Sequence, residues 1–196
     1  MKPSESLSPR RGAGILAELK AQSQLLLGSV AVLWVVEIID AAIARPVFGR
    51  TLDVYGILPR TPIGLRGILF APFLHGGFEH LLANTVPFLI MGWLVSARGR
   101  ADFLWVSAIA ALSSGLGTWV FGRPALHIGA SGVVFGYFGY LLFRGYFERS
   151  AIAVAVTLVT GITYGSLIWG VLPSQGHISW EGHLFGFLGG VLAARL

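Results

Sequence analysis

Four polar residues lie near the starts of three apolar segments, where their side chains could carry out nucleophilic chemistry. A serine hydroxyl is a weak nucleophile until a neighbouring base accepts its proton. Ser131 is the candidate nucleophile, and His183 is the candidate base. His80 and Asn84 are four residues apart, so they share one helical face. Together with the backbone N–H of Ser131, they could donate hydrogen bonds to the oxyanion of a tetrahedral intermediate.

These residues reach a similar depth if each segment crosses a bilayer as a helix. Each of the three segments ends in an arginine that we expect near one interface: Arg98, Arg144 and Arg195. Asn84, Ser131 and His183 precede those arginines by 14, 13 and 12 residues. At about 1.5 Å per residue the heights are roughly 21, 20 and 18 Å. In a hydrocarbon core about 30 Å thick, all three would lie about 10 Å below the opposite surface. We therefore expect one water-filled pocket.

The composition is typical of a membrane protein. The chain has 196 residues, of which 55% are hydrophobic and 12% are charged, and this charged share is about half that of an average soluble domain. A soluble domain of this size could not bury so much apolar surface. These figures exclude an ordinary soluble globule, a disordered chain and a nucleic-acid-binding domain. Cysteine is absent, so disulfides and thiolate sites are excluded as well.

Six apolar segments predict an all-α membrane protein with six transmembrane helices in one domain. The segments are 25–44, 80–97, 103–121, 131–143, 151–172 and 178–194. A helix needs about 20 residues to cross the hydrocarbon core. Four segments approach that length, and the fourth and sixth are shorter. Residues 1–24 are predicted to form a polar cytoplasmic tail, and residues 25–196 the transmembrane domain.

The basic residues predict the orientation of the chain. With six crossings, nine lysines and arginines fall on the side of the N-terminus and five on the other, so both termini are predicted to be cytoplasmic. Four of the five external arginines lie in one long loop, 45–77, which is also rich in apolar residues. We expect that loop to pack against the membrane or the bundle. The short chain, without an organelle-targeting signature, favours a prokaryotic plasma membrane.

Two acidic residues in the first segment admit two interpretations. Glu37 and Asp40 are three residues apart on one helical face. Ionisable groups inside a span are expensive and often mark a proton or ion pathway. The alternative, which we favour, is pairing with Arg45 or another arginine of the first loop.

The remaining histidines have structural interpretations. We expect His75 to hydrogen-bond loop backbone, and His127 and His177 to face solvent or belong to a cap over the site. The spacings contain no HExxH ligand pair, so no metal is predicted. Glu181 is two residues from His183, a spacing that points the side chains apart in a helix, so it is not a third catalytic member.

Three motifs give the chain a resemblance to the rhomboid intramembrane serine proteases. They are His75-(four residues)-His80-Leu-Leu-Ala-Asn84, Gly129-Ala130-Ser131-Gly132 and His183-Leu-Phe-Gly186-Phe-Leu-Gly-Gly190. A G-x-S-G sequence alone arises often by chance. Here the three motifs occur in the family's order, on its second, fourth and sixth helices, and the resemblance extends from about residue 25 to the C-terminus.

The resemblance implies a Ser131–His183 dyad without an acidic member and without a cofactor. It places His80, Asn84 and the Ser131 amide in an oxyanion hole. The substrates would be single-pass membrane proteins, cleaved near the outer face of the lipid bilayer. The long first loop would be membrane-associated, and the fifth helix and residues 173–177 would form the gate and cap.

Glycines and one aromatic residue complete the predicted site. Gly129 and Gly132 flank the serine and permit close backbone approach. Gly186 and Gly190, spaced as GxxxG, would let the sixth helix approach the fourth. Phe135 stands where the family often has a tyrosine that stacks on the histidine, and a phenyl ring can do the same.

Two other departures from the family pattern affect details. Leu65-Arg66 replaces a frequent Trp-Arg pair in the first loop, and Gly182 replaces a frequent alanine before the histidine. Neither removes catalytic chemistry, but both bear on loop anchoring and substrate preference.

Other functions compete with proteolysis. His80 and Asn84 could hold a loop or an ordered water, and Ser131 could be a small packing residue. The chain could then be a non-proteolytic rhomboid-like protein that binds membrane helices. The acidic pair in the first segment suggests a small transporter as a further alternative.

Overall fold

The computed structural model describes residues 9–173 and 178–196, and these are largely helical. Six long helices follow one another: α1 (Pro9–Ile39), α2 (Phe78–Ser96), α3 (Arg100–Phe121), α4 (Ser131–Glu148), α5 (Ala151–Tyr164) and α6 (Trp180–Arg195). A π-helical turn, Asp40–Ala44, continues α1, and a 3₁₀ helix, Gly165–Val171, continues α5. In the described ranges the β pairing consists of one isolated bridge, between Ile57 and His127.

Among the described residues, four helical segments are long and apolar enough to cross a membrane, as expected of an integral membrane protein. They are Leu16–Phe48, α2, α3 and Ala151–Val171. The two helices outside this set are α4, with 18 residues, and α6, with 16. Every residue of α4 from 132 to 141 is buried, so this helix lies at the centre of the bundle. Burial on all sides identifies a core helix.

The first helix begins earlier than the apolar segment predicted. It starts at Pro9, inside the predicted tail of residues 1–24, and continues unbroken through it. Proline suits the first position of a helix, because a backbone N–H there would have no acceptor within the helix. Residues 15–27 are rich in leucine, alanine, glutamine and other good helix formers, so polarity alone does not end the helix.

The first loop folds onto the bundle through short helical turns. These are Arg45–Phe48, Leu52–Tyr55, Ile63–Arg66, Gly67–Phe70 and Ala71–Phe73. Near its middle, the Arg60 guanidinium donates to the Gly122 carbonyl over 2.7 Å, and the Trp119 indole N–H donates to the Thr61 carbonyl over 2.9 Å. The loop is therefore fastened to the end of α3.

A buried ion-pair cluster anchors the start of that loop. Arg45 contacts Asp40 at 2.6 Å and Glu37 at 3.4 Å, and both acidic side chains are almost fully buried. The other Asp40 oxygen accepts the backbone N–H of Leu52. These contacts confirm the predicted pairing with Arg45. A buried carboxylate is costly unless it has such a partner.

Glycines let α6 approach α4 so closely that backbone meets backbone. A Cβ atom on Gly186 would overlap the Gly132 carbonyl, and one on Gly190 would overlap the Gly136 carbonyl. No larger residue fits these positions without separating the helices. The two glycines of the GxxxG spacing therefore both face the backbone of α4.

We expect Gly190→Ala to lower the thermal midpoint of the protein in detergent micelles. The added methyl group must push α6 away from the Gly136 carbonyl, and overpacking of this kind costs about 1–3 kcal/mol. Gly161→Ala is the matched control, because a Cβ there meets only the Leu142 Cδ2 atom, at 3.7 Å, and alanine favours the helix. Unfolding is followed by circular dichroism. Equal thermal midpoints for Gly190→Ala and Gly161→Ala would contradict the packing argument.

Candidate active site

The hydroxyl of Ser131 and the imidazole of His183 meet between α4 and α6. The distance from Ser131 Oγ to His183 Nε2 is 2.9 Å. Ser131 is the first residue of α4, and His183 is the fourth residue of α6 and is 9% exposed. The structure therefore brings together the candidate nucleophile and the candidate base, which are 52 positions apart in the chain.

The hydrogen-bond partner of Nδ1 sets the tautomer of His183. His183 Nδ1 lies 2.9 Å from the Gly170 carbonyl oxygen. A carbonyl can only accept, so Nδ1 carries the proton and Nε2 presents its lone pair to the serine hydroxyl. The Phe135 ring stacks on the imidazole, with centroids 4.1 Å apart and planes 7° from parallel. These two contacts fix the orientation of the ring.

A glycine with a left-handed backbone lets the histidine of α2 approach the serine. Gly129 has a φ of +113°, and a Cβ there would lie 2.8 Å from His80 Cε1. Gly76 donates its N–H to His80 Nδ1 at 3.4 Å, so the proton of the neutral ring is on Nε2. That N–H is available as a donor. His80 therefore holds the loop and also presents a donor.

Asn84 offers a second donor to the same space. Its side chain is 6% exposed, and its Nδ2 atom has no hydrogen-bond partner among the described residues. Nδ2 lies 3.6 Å from the point where a Gly129 Cβ would stand. As the first residue of α4, Ser131 also has a backbone N–H without an intrahelical acceptor.

One cavity of about 600 Å³ joins these groups. His80, Asn84, Ser131 and His183 all line it. Apolar walls complete it, from Val134, Phe135, Leu167 and Ile178. The candidate nucleophile, the candidate base and the candidate oxyanion donors thus line one cavity.

His75 lies behind the serine and bonds loop backbone. Ala130 donates its N–H to His75 Nε2 at 3.4 Å, which confirms the expected loop contact. Burial, with a smaller effect from nearby His80, lowers the pKa of His75 to about 4. The ring is therefore neutral at physiological pH and able to accept that N–H.

Of the two alternatives for His127, facing solvent is wrong, since this residue is 4% exposed, and it lies in the wall of the site cavity. Its Nδ1 lies 2.6 Å from Ser179 Oγ, and its Nε2 lies 3.1 Å from the Arg123 carbonyl oxygen. Burial lowers the pKa of His127 below its ordinary value. The sequence gives no sign of this partner, because Ser179 is 52 positions away. His177 lies outside the described residues.

Glu181 does not touch the base. Its carboxylate accepts the backbone N–H of Arg123 at 2.9 Å, whereas His183 Nδ1 bonds Gly170. Ser114 is a residue that sequence reasoning missed, and it donates its hydroxyl to the Gly182 carbonyl at 2.8 Å. In the described parts of the chain, no three His, Asp or Glu side chains converge on a point where a metal ion could be held.

Known proteins resemble this chain over most of its length. The family model of the Rhomboid domain matches residues 64–196. An uncharacterized protein of Mycobacterium tuberculosis is 42% identical over 180 residues, which cover 87% of this chain and 73% of that protein. The rhomboid protease GluP of Bacillus subtilis is 32% identical over 123 residues, covering 62% of this chain and 24% of GluP.

The matched region contains every residue of the candidate site described above. The ion-pair cluster at the end of α1 lies outside it. The matched region begins inside the first loop, at residue 64, and includes both Ser131 and His183. Because it covers more than half of the chain, and because the mycobacterial relative covers more still, the chain belongs to the rhomboid family.

Proposed function

We propose that this chain is an intramembrane serine endopeptidase that cleaves transmembrane helices near the outer membrane face. The observation that carries the proposal is the 2.9 Å contact between Ser131 Oγ and the unprotonated Nε2 of His183. Family membership supports it, and so does the name of GluP. The contact pairs a hydroxyl nucleophile with a general base, which attack on a peptide bond requires.

The reaction follows from the donors and acceptors around the cavity. His183 Nε2 takes the Ser131 proton as Oγ attacks the substrate carbonyl carbon. The Ser131 amide, His80 Nε2–H and Asn84 Nδ2–H stabilise the oxyanion. His183 then gives its proton to the leaving amine, and water hydrolyses the acyl-enzyme by the same steps in reverse order. The Gly170 carbonyl, rather than a carboxylate, supports the Nδ1–H of the imidazolium.

The membrane arrangement is part of the proposal. The four membrane-length segments are joined by α4 and α6 as two further spans, so that residues 25–196 form one six-helix domain. The first loop associates with the membrane, and both termini are cytoplasmic because of the arginine and lysine bias. The matches to mycobacterial and Bacillus proteins support a prokaryotic plasma membrane.

The substrates are single-pass transmembrane proteins. A helical peptide bond is already hydrogen-bonded and closed to attack, so the substrate must unwind locally at the cavity. Neither alternative function gains a specific observation. The transporter alternative rested on Glu37 and Asp40, which are held by Arg45. The non-proteolytic binder does not require the Ser131–His183 contact.

We expect Ser131→Ala to abolish cleavage of a model transmembrane substrate by the purified protein in detergent. The variant keeps the cavity but has no nucleophile, and a serine-reactive fluorophosphonate should label wild type at Ser131 and leave the variant unlabelled. Ser107→Ala is the matched control, because that hydroxyl pairs with Tyr137 within the bundle, and it should retain cleavage. Cleavage that survives in Ser131→Ala would refute the proposed activity.

Asn84→Ala should lower kcat about 10²–10³-fold with little change in KM, because an oxyanion donor acts chiefly in the transition state. Thr85→Val is the control one position along α2, because its hydroxyl bonds the Leu81 carbonyl and accepts the Trp34 indole N–H, and Thr85 does not line the cavity. Steady-state kinetics on the same substrate distinguish the two. An Asn84→Ala variant with wild-type kcat would remove Asn84 from the oxyanion hole.

A further inference from the structure

The start of α6 is held by the loop that precedes α4. Three residues there are engaged: the Ile178 carbonyl accepts from the Arg123 guanidinium, Ser179 contacts His127, and the Glu181 carboxylate accepts the Arg123 N–H. We call the His127–Ser179 and Arg123–Glu181 contacts together the loop–helix clasp. It joins the segment that leads to the nucleophile to the helix that carries the base.

Ser179 occupies a position where a serine normally caps its own helix. It is the N-cap residue of α6, yet its side chain makes no capping bond to the helix. Its hydroxyl lies 2.6 Å from His127 Nδ1 instead. A serine cap stabilises a helix by about 0.5–2 kcal/mol. The Ser179 hydroxyl thus connects α6 to the loop that precedes α4, and it does not cap α6.

The direction of the His127 bond follows from its other nitrogen. His127 Nε2 faces the Arg123 carbonyl at 3.1 Å, so it carries the proton. His127 Nδ1 is then an acceptor, and the Ser179 hydroxyl donates to it. The backbone of His127 also pairs with Ile57 of the first loop through two bonds of 2.9 Å, so the ring stands on a rigid support.

The clasp is one helical turn from the base. The N–H of His183 donates to the carbonyl of Ser179 at 3.1 Å, and Ser131 follows His127 by four positions. A displacement of Ser179 therefore moves the backbone that carries His183 relative to Ser131. A misplacement of about 1 Å in an active site can cost about 10²-fold in rate.

We infer that His127 and Ser179 are positioning residues that hold His183 at hydrogen-bonding distance from Ser131. This inference rests on the proposed protease function and adds to it a hydrogen bond outside the dyad and the oxyanion hole. The bond acts through the backbone of α6. Both residues line the cavity, but the His127 ring bonds Ser179 and the Arg123 carbonyl rather than Ser131 or the His183 ring.

The test is the rate at which a fluorophosphonate labels Ser131 in the purified full chain, since labelling needs an activated serine but no substrate helix. His127→Phe keeps the ring volume and removes the acceptor, and it should slow labelling about 10- to 100-fold. His127→Asn should restore most of the rate, because its Oδ1 can replace Nδ1 as the acceptor. Ser179→Ala should slow labelling as His127→Phe does, with a smaller change in packing.

Two comparisons separate positioning from general stability. The double variant His127→Phe/Ser179→Ala should label no more slowly than the slower single variant, because both remove one bond. Ser23→Ala, which removes a hydroxyl bonded to the Leu19 carbonyl within α1, should label at the wild-type rate. Thermal midpoints are measured alongside, and the labelling defect should persist at temperatures where every variant is folded.

Different failures identify different errors. Wild-type labelling rates in both His127→Phe and Ser179→Ala would overturn the positioning role of His127 and Ser179 alone. Labelling of His127→Asn that is no faster than that of His127→Phe, or fully multiplicative effects in the double variant, would do the same. Wild-type protein that is not labelled at Ser131, and that does not cleave the model substrate, would overturn the proposed function and the clasp with it.

Discussion

The hydrogen bond between Ser131 and His183 depends on how closely two helices can approach. A separation of 2.9 Å between the two side-chain atoms requires α4 and α6 to pack without side chains between them. Gly186 and Gly190 allow this, because each lies against a carbonyl oxygen of α4. In lipid, no hydrophobic force drives helices together, so close packing of small residues provides the attraction.

Polar contacts around the site connect it to both loops. His75 accepts the Ala130 N–H immediately before the serine, and His80 accepts the Gly76 N–H of the first loop. Arg45 holds the beginning of that loop to the end of α1. Buried polar groups are costly unless they are paired. The pairs therefore define one arrangement of the loops, and the loops keep the serine and the cavity in place.

The amino-acid pattern predicted the helices well, except at the ends of the bundle. Each of the six long helices among the described residues overlaps one predicted apolar segment, and the start of α4 at Ser131 and the end of α3 at Phe121 agree with the prediction. The start of α1 was predicted too late, because hydropathy does not detect a polar helix. The solvent-facing alternative for His127 was wrong because the sequence does not reveal that Ser179, 52 positions away, hydrogen-bonds the ring.

The sequence by itself determined the residue types that could react, their order on the helices and the glycine spacing. Those features are local, and periodicity or spacing reveals them. Only the tertiary structure decided the tautomer of His183, the bond of the Ser179 hydroxyl to His127 in place of a helix cap, and which first-loop arginine pairs with Glu37 and Asp40. Each of these depends on a carbonyl, hydroxyl or carboxylate brought close by folding, and hydrogen bonds act over about 3 Å in space regardless of distance along the chain.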